Sequence, residues 1–119
     1  MLIVDDDNDI VEAICLALER EGYEIRAAAT MEDAVEIART LQPFLMLVDY
    51  RLPGVDAVSL VRSLRRVVAS ANIVLCTAAE APEVLAQSVG ADRVLAKPFT
   101  LDELLMLARQ ACGTWEARQ

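Results

Sequence analysis

The 119-residue sequence contains no histidine, and this absence excludes catalysis by a Ser-His-Asp or Cys-His arrangement. Cysteine is scarce as well: Cys15, Cys76 and Cys112 lie far apart in apolar surroundings, with no CxxC pair. An odd and dispersed set of cysteines is typical of reduced thiols and not of disulfides or a zinc site. We therefore expect a cytoplasmic protein.

Long apolar runs and glycine-rich loops are also missing. No apolar stretch approaches the roughly 20 residues that a transmembrane helix needs, and the N-terminus lacks the pattern of a secretory signal. The four glycines form neither a P-loop nor a dinucleotide-binding loop. The formal net charge of −8 argues against nucleic acid as a partner and favours a cation site. We expect no contact with a membrane or with nucleic acid.

What the sequence does contain is enough apolar material for one folded domain covering residues 1–119, since 55% of the residues are hydrophobic. Short apolar runs alternate five times with segments of helical periodicity. The predicted strands are residues 2–4, 23–27, 44–49, 73–76 and 93–96, and the predicted helices are residues 10–21, 31–41, 57–68, 82–89 and 101–112. This alternation predicts an α/β fold with a five-stranded parallel sheet, helices on both faces and right-handed connections.

Several polar residues have simple structural interpretations. Asp7, Asn8 and Asp9 suit the start of a helix, and Thr30 and Thr100 each begin a capping-box pattern. Gly113 is expected to end the last helix. Three arginines, Arg62, Arg65 and Arg66, lie mostly off the apolar stripe of the third helix, so a solvated face is expected, with a partner-binding patch as the less favoured alternative.

Four of the five predicted strands end in a residue that could carry chemistry. Asp5 and Asp6 follow the first strand, Asp49 ends the third, Thr77 follows the fourth and Lys97 follows the fifth. The carboxyl ends of parallel strands share one edge, where open α/β sheets bind their ligands. Three carboxylates there would repel, because two unit charges about 4 Å apart cost about 4 kcal/mol at an effective dielectric near 20. The ammonium group of Lys97 and a divalent cation would relieve this repulsion.

Hard oxygen ligands without histidine or cysteine favour Mg²⁺, with Mn²⁺ as the alternative. A cluster of three carboxylates, a lysine and a divalent cation supports phosphoryl transfer to Asp49, because a carboxylate is a competent nucleophile for a phosphoryl group. The cation and Lys97 would neutralise the phosphoryl oxygens, and the Thr77 hydroxyl would donate a hydrogen bond to another. Each residue alone has an ordinary structural explanation, but their agreement favours the phosphoryl-transfer interpretation.

With these residues at its strand ends, the chain closely resembles the receiver domains of two-component response regulators. The motifs that carry the resemblance occur in the family's order and spacing: LIVDDD at residues 2–7, VDYRLPGVD at 48–56, LCTA at 75–78 and LAKPF at 95–99. The resemblance implies a flavodoxin-like, doubly wound sheet of order 2-1-3-4-5 with five helices. It also implies that Asp49 is the phosphoacceptor, that Thr77 is the switch hydroxyl and that the ammonium of Lys97 pairs with the phosphate.

The resemblance further implies that Asp5, Asp6, Asp49 and the backbone carbonyl of Arg51 hold Mg²⁺, and that the peptide bond between Lys97 and the following proline is cis. The phosphodonor would be a sensor histidine kinase or a phosphotransfer protein. A homodimer or a downstream effector domain would receive the signal. Such a domain catalyses its own phosphorylation and slow dephosphorylation without being a classical enzyme.

Two alternative functions remain open. Val94 stands three residues before the lysine, where the family usually has Tyr or Phe. The usual aromatic movement cannot occur, which keeps open an interaction module that works without phosphorylation. The DxD within Asp5-Asp6-Asp7 instead suggests a phosphatase similar to the haloacid dehalogenases, with Asp5 as nucleophile, although the chain is short for such an enzyme and shows no cap domain.

Overall fold

The computed structural model describes residues 1–118, and it describes side chains for residues 1–113. Within this range five strands alternate with five helices. The strands are β1 (Leu2–Val4), β2 (Arg26–Ala28), β3 (Leu45–Asp49), β4 (Asn72–Thr77) and β5 (Arg93–Ala96). The helices are α1 (Asn8–Arg20), α2 (Met31–Leu41), α3 (Ala57–Val67), α4 (Pro82–Val89) and α5 (Leu101–Arg118). All strand pairs are parallel and their order is β2-β1-β3-β4-β5, so the predicted fold class is confirmed.

The sheet separates two apolar layers. Along β3, Met46 and Val48 pack with α2, α3 and α4 on one face, whereas Leu45 and Leu47 pack with α1 and α5 on the other. Every residue of β1 and β4 is buried. Because both faces of the central strands are covered, their sequences are continuously apolar and do not alternate. No helix in the described range is both long and apolar enough to cross a bilayer.

Side-chain caps fix where four of the helices begin. Asp7 accepts hydrogen bonds from backbone N–H groups of the first turn of α1, Thr30 does so for α2, and Asp56 does so for α3. The predicted threonine cap before α5 is also present, since Thr100 Oγ1 accepts from Glu103 N at 3.1 Å. The carboxylate of Glu103 accepts from the Thr100 hydroxyl at 3.3 Å, so the glutamate bonds to the hydroxyl in place of the backbone N–H that a full capping box uses. These caps satisfy N–H groups that have no partner inside the helix, and they hold the loops that follow the strand ends.

The second strand is shorter than predicted. Only residues 26–28 pair with β1, and they form the edge of the sheet. Ile25 is buried and Ala28 is buried on the opposite face, but Ala27 is exposed. Helices cover an edge strand only in part. The face of the sheet on which a side chain lies therefore does not by itself decide whether that side chain is buried.

The last helix also departs from expectation, because it passes through Gly113 and continues to Arg118. Gly22 and Gly90 have left-handed φ angles of 89° and 83° after their helices, whereas Gly113 does not. A glycine inside a helix costs about 1 kcal/mol relative to alanine and does not by itself end the helix.

The prediction of a solvated side chain is wrong for Arg65. Its guanidinium donates to Ala71 O at 2.9 Å, to Gly90 O at 3.2 Å and to Asp92 Oδ2 at 2.6 Å. The same Asp92 oxygen accepts from Ile73 N at 2.8 Å. The side chain of Arg65 therefore joins the end of α3 to the start of β4 and to the turn before β5.

Candidate functional site

The parallel register brings the predicted site residues to one edge of the sheet. Val4 is aligned with Val48, so the residues that follow them, Asp5 and Asp49, end adjacent strands. On the other side Thr77 is aligned with Ala96, which directly precedes Lys97. The convergence expected from the strand ends is therefore observed.

The ammonium of Lys97 lies between two of the carboxylates. Its Nζ is 3.1 Å from Asp49 Oδ1 and 3.9 Å from Asp5 Oδ2. The side chains of Asp5 and Asp49 are only 8% and 11% exposed, so this pairing is poorly screened by solvent. Asp6 is exposed, and one oxygen each from Asp5, Asp6 and Asp49 lie within 4.8 Å of one another.

The protonation equilibria reflect this crowding. Burial raises the pKa of Asp5, and the nearby charge of Asp49 adds to the effect, while the hydrogen bond from Asp7 N opposes it. Burial acts to lower the pKa of Lys97, but its hydrogen bond to Asp49 and the two negative charges outweigh burial, so the pKa is raised. Burial raises the pKa of Cys76, which lies beneath the site, to about 12. Near neutral pH the thiol is protonated and Lys97 is positively charged.

The donor set suits a hard divalent cation. Asp5, Asp6 and Asp49 supply oxygen atoms alone, and oxygen ligands are what Mg²⁺ and Mn²⁺ prefer over nitrogen or sulfur. Because Asp6 is exposed, a cation held here would stay in contact with water, as Mg²⁺ usually does. Arg51, the fourth predicted ligand, lies in the turn after β3 with its side chain exposed.

Thr77 sits at the end of β4 and is 4% exposed. Its Oγ1 accepts a hydrogen bond from Ala79 N at 3.1 Å, and its carbonyl accepts one from Lys97 N at 2.9 Å. The threonine thus connects the loop before α4 to the residue that contacts Asp49. Among the described residues its hydroxyl donates no hydrogen bond.

Sequence reasoning missed an apolar groove beside the site. It has a volume of about 500 Å³, and Lys97 forms part of its wall. Ile10 and Ile14 of α1 line one side, and Phe99 and Leu101 line the other. The apolar residues after Lys97 were a usable signal, but only the packing of α1 against α5 shows that they face Ile10 and Ile14. The peptide bond between Lys97 and Pro98 is cis, as the resemblance implied.

A parallel sheet with clustered aspartates and one lysine at its carboxyl edge is typical of signalling domains that accept a phosphoryl group. Comparison with known proteins assigns the chain to the same class. A family model described as the response regulator receiver domain matches residues 1–109. The chain belongs to this receiver domain family of two-component response regulators, whose members typically use phosphorylation and magnesium. Neither the phosphatase nor the phosphorylation-independent alternative is favoured.

Two curated relatives are transcriptional regulators. The alkaline phosphatase synthesis transcriptional regulatory protein PhoP of Bacillus subtilis is 35% identical over 106 residues, covering 87% of this chain and 44% of PhoP. The phosphate regulon transcriptional regulatory protein PhoB of Pseudomonas aeruginosa is 37% identical over 126 residues, covering 98% of this chain and 55% of PhoB. The chain thus spans about half the length of these relatives.

Solved structures show the same fold. A CheY-like receiver domain protein from Methanospirillum hungatei has a TM-score of 0.89 at 28% identity, with 99% of this chain and 96% of that chain covered. A signal receiver domain from Bermanella marisrubri has a TM-score of 0.83 at 31% identity, with 93% and 95% covered.

Proposed function

We propose that residues 1–119 act as one receiver domain in which Asp49 accepts a phosphoryl group from the phosphohistidine of a sensor histidine kinase or a phosphotransfer protein. The observation that carries the proposal is the 3.1 Å contact between Lys97 Nζ and Asp49 Oδ1 in a pocket shared with Asp5 and Asp6. A lysine paired with a largely buried aspartate, beside two further carboxylates, suits phosphoryl transfer to a carboxylate, because the aspartate is the nucleophile and the lysine is a fixed positive charge beside it.

The transfer itself involves one bond formed and one broken. Lys97 contacts Oδ1 of Asp49, which leaves Oδ2 for attack on phosphorus. The phosphorus–nitrogen bond to the donor histidine breaks as the new bond forms, and its electron pair returns to the imidazole. Lys97 then pairs with a phosphoryl oxygen, and this fixed positive charge stabilises the negative charge that develops on transfer.

Asp5, Asp6, Asp49 and the backbone carbonyl of Arg51 would hold the divalent cation, Mg²⁺ first and Mn²⁺ second. When bound, the cation neutralises charge on the phosphoryl oxygens. The slow loss of the phosphoryl group to water belongs to the same proposal, since the residues that stabilise its formation also stabilise its hydrolysis.

Thr77 would report the phosphoryl group to the rest of the domain. Its hydroxyl donates no hydrogen bond within the described residues, so it is available to a phosphoryl oxygen. Because Oγ1 already accepts from Ala79 N, a movement of Thr77 carries the loop before α4 with it. Val94 is half-buried against the core and has no ring to move, so the signal passes through this loop. Phosphorylation then biases an existing equilibrium between two states.

The phosphodonor would dock on the apolar groove between α1 and the segment after Lys97. The groove is continuous with the site, because Lys97 belongs to its wall, and Ile10, Ile14 and Phe99 suit the apolar face of a helix that carries the donor histidine. With a donor of this kind, the domain would act in the cytoplasm. Since the curated relatives are longer transcriptional regulators, the output would pass to an effector domain or to a second copy of the domain.

The test is phosphorylation by acetyl phosphate with Mg²⁺, followed by mass spectrometry of the intact protein. We expect the mass of one phosphoryl group on the wild type, none on Asp49→Ala, and none on the wild type in EDTA. Asp102→Ala is the matched control, because Asp102 is exposed on α5, and it should be labelled normally. A label that persists in Asp49→Ala and disappears in Asp5→Ala would contradict the proposal.

A further inference from the structure

The third helix differs in charge from the rest of the molecule. No carboxylate occurs between Asp56 and Glu80, and this segment contains three arginines, all of them on α3. The chain as a whole has a formal net charge of −8. A purely basic helix on an acidic domain produces a local positive potential, and local potentials of this kind select partners of the opposite sign.

Two of these arginines are available for an external partner. Arg65 is bound internally by Asp92 and two carbonyls, but Arg62 and Arg66 are exposed. Among the residues whose side chains are described, neither forms an ion pair or a hydrogen bond. They are four positions apart, so their guanidinium groups lie on the same face of α3, one turn from each other.

A depression with both polar and apolar lining runs between α3 and α4 beside these arginines. It consists of two adjoining hollows of about 340 Å³ and 370 Å³ that have Val58, Ser88 and Val89 in common. We call their union the α3–α4 groove. Its apolar lining includes Val58, Val61, Leu85 and Val89. Arg62 lines one hollow, and Arg51, in the turn after β3, lines the other together with Asp56. Arg66 lies one helical turn from Arg62 and lines neither hollow.

We propose that the α3–α4 groove binds an acidic amphipathic helix of a partner protein. The apolar face of such a helix would cover Val58 and Leu85, and its carboxylates would meet Arg62 and Arg66. Grooves between helices commonly bind a further helix through apolar anchors, and a polar rim then sets the orientation. Nucleic acid fits this surface less well, because a domain of net charge −8 repels a polyanion outside this one patch.

The α3–α4 groove adjoins the phosphoacceptor edge at Arg51, whose backbone carbonyl is a proposed cation ligand, but the peptide would be bound by other side chains. The inference goes beyond the function proposed above. Its probe is a synthetic amphipathic helical peptide with leucine on one face and glutamate on the other. Binding is measured by fluorescence anisotropy and by amide chemical shifts, without Mg²⁺ or a phosphodonor. Failure of one proposal therefore leaves the other standing.

We expect saturable binding that weakens as salt increases, with amide shifts centred on Val58, Leu85 and Ser88. The double variant Arg62→Glu/Arg66→Glu should weaken binding about tenfold, because two attractive pairs become repulsive. Arg20→Glu is the matched control: Arg20 is exposed at the end of α1 and forms no ion pair among the described side chains. It should change the affinity less than about twofold.

Several outcomes would overturn the proposal. These are no saturable binding, shifts confined to another surface, or equal binding by the double variant. Equal binding of a peptide with lysine in place of glutamate would show that charge does not select the ligand. Preferential binding of a single-stranded oligonucleotide would assign the patch to nucleic acid. Self-association of the wild type that the double variant abolishes would assign it to a second copy of the chain.

Discussion

Arg65 Nη2 on α3 lies 2.6 Å from Asp92 Oδ2 in the turn before β5, although 27 positions separate the two residues. Their side chains are 29% and 33% exposed, so the pair is partly shielded from solvent. The arginine also donates to two backbone carbonyls, and the aspartate accepts from a backbone N–H of β4. This ion pair connects the end of α3, the start of β4 and the turn before β5, in addition to the apolar contacts of Val68 and Ile73.

Replacing Arg65 with Ala should destabilise the domain by about 1–3 kcal/mol, because the charge of Asp92 and two carbonyls would lose their partner. The measurement is the free energy of unfolding in urea. Arg66→Ala on the same helix is the control, since Arg66 is exposed, and it should stay within about 0.5 kcal/mol of the wild type. Equal effects of the two substitutions would show that the ion pair contributes nothing measurable.

Addition of Mg²⁺ should raise the thermal stability of the wild type, because a cation bound only by the folded state adds about 1.4 kcal/mol at about ten times its dissociation constant. Asp6→Asn should remove most of this gain, since Asp6 supplies one of the three clustered carboxylates. Glu12→Gln makes an equal charge change on the exposed surface of α1 and should keep the gain. Melting curves with Mg²⁺ and with EDTA provide the comparison; the same gain in all three proteins would indicate nonspecific screening.

Alkaline pH should lower the free energy of unfolding, because the buried thiol of Cys76 ionises more readily in the unfolded chain. Burial raises the pKa of this thiol from its ordinary value of 9.0 to about 12. Above pH 9 the unfolded chain therefore binds fewer protons than the folded one, and the free energy of unfolding falls by about 1.4 kcal/mol per pH unit. Cys76→Ala lacks this dependence, so its deficit relative to the wild type should narrow as pH rises.

The comparison requires urea unfolding at several pH values with EDTA and a reductant present. Cys15→Ala, at a partly exposed position on α1, should show less narrowing. A constant difference between wild type and Cys76→Ala from pH 8 to about pH 10 would contradict the raised pKa.

Thr77→Val keeps the branched shape of the side chain but removes the acceptor of the Ala79 N–H bond. We expect a loss of about 0.5–1.5 kcal/mol in stability and faster hydrogen exchange at Ala79. Beryllofluoride with Mg²⁺ should shift the α4 amides of the wild type and of Thr77→Ser, but not those of Thr77→Val. Urea unfolding measures the stability, and amide spectra measure the hydrogen exchange and the α4 shifts. Full α4 shifts in the valine variant would show that the hydroxyl does not transmit the signal.

The strand ends could be predicted from the sequence because burial on both faces requires continuous apolar runs. The points at which those runs stop, at Asp5, Asp49, Thr77 and Lys97, are therefore visible without coordinates. A parallel sheet then brings these ends to one edge whatever the details of helix packing. The capping residues Thr30 and Thr100 were predictable for a similar reason, since a cap bonds to a backbone only three residues away.

The function of Arg65 could not be predicted in this way, because its partner Asp92 is distant in sequence and each residue alone is typical of a solvated surface. The exposure of Ala27 depended on how far the helices cover the edge strand, and the apolar groove depended on how α1 packs against α5. The sequence by itself determined the order of elements and the composition of the phosphoacceptor edge, because local periodicity and strand length encode both. Only the tertiary structure decided which charges are paired and which surfaces stay open, because these depend on contacts between segments whose separation along the chain carries no local signal.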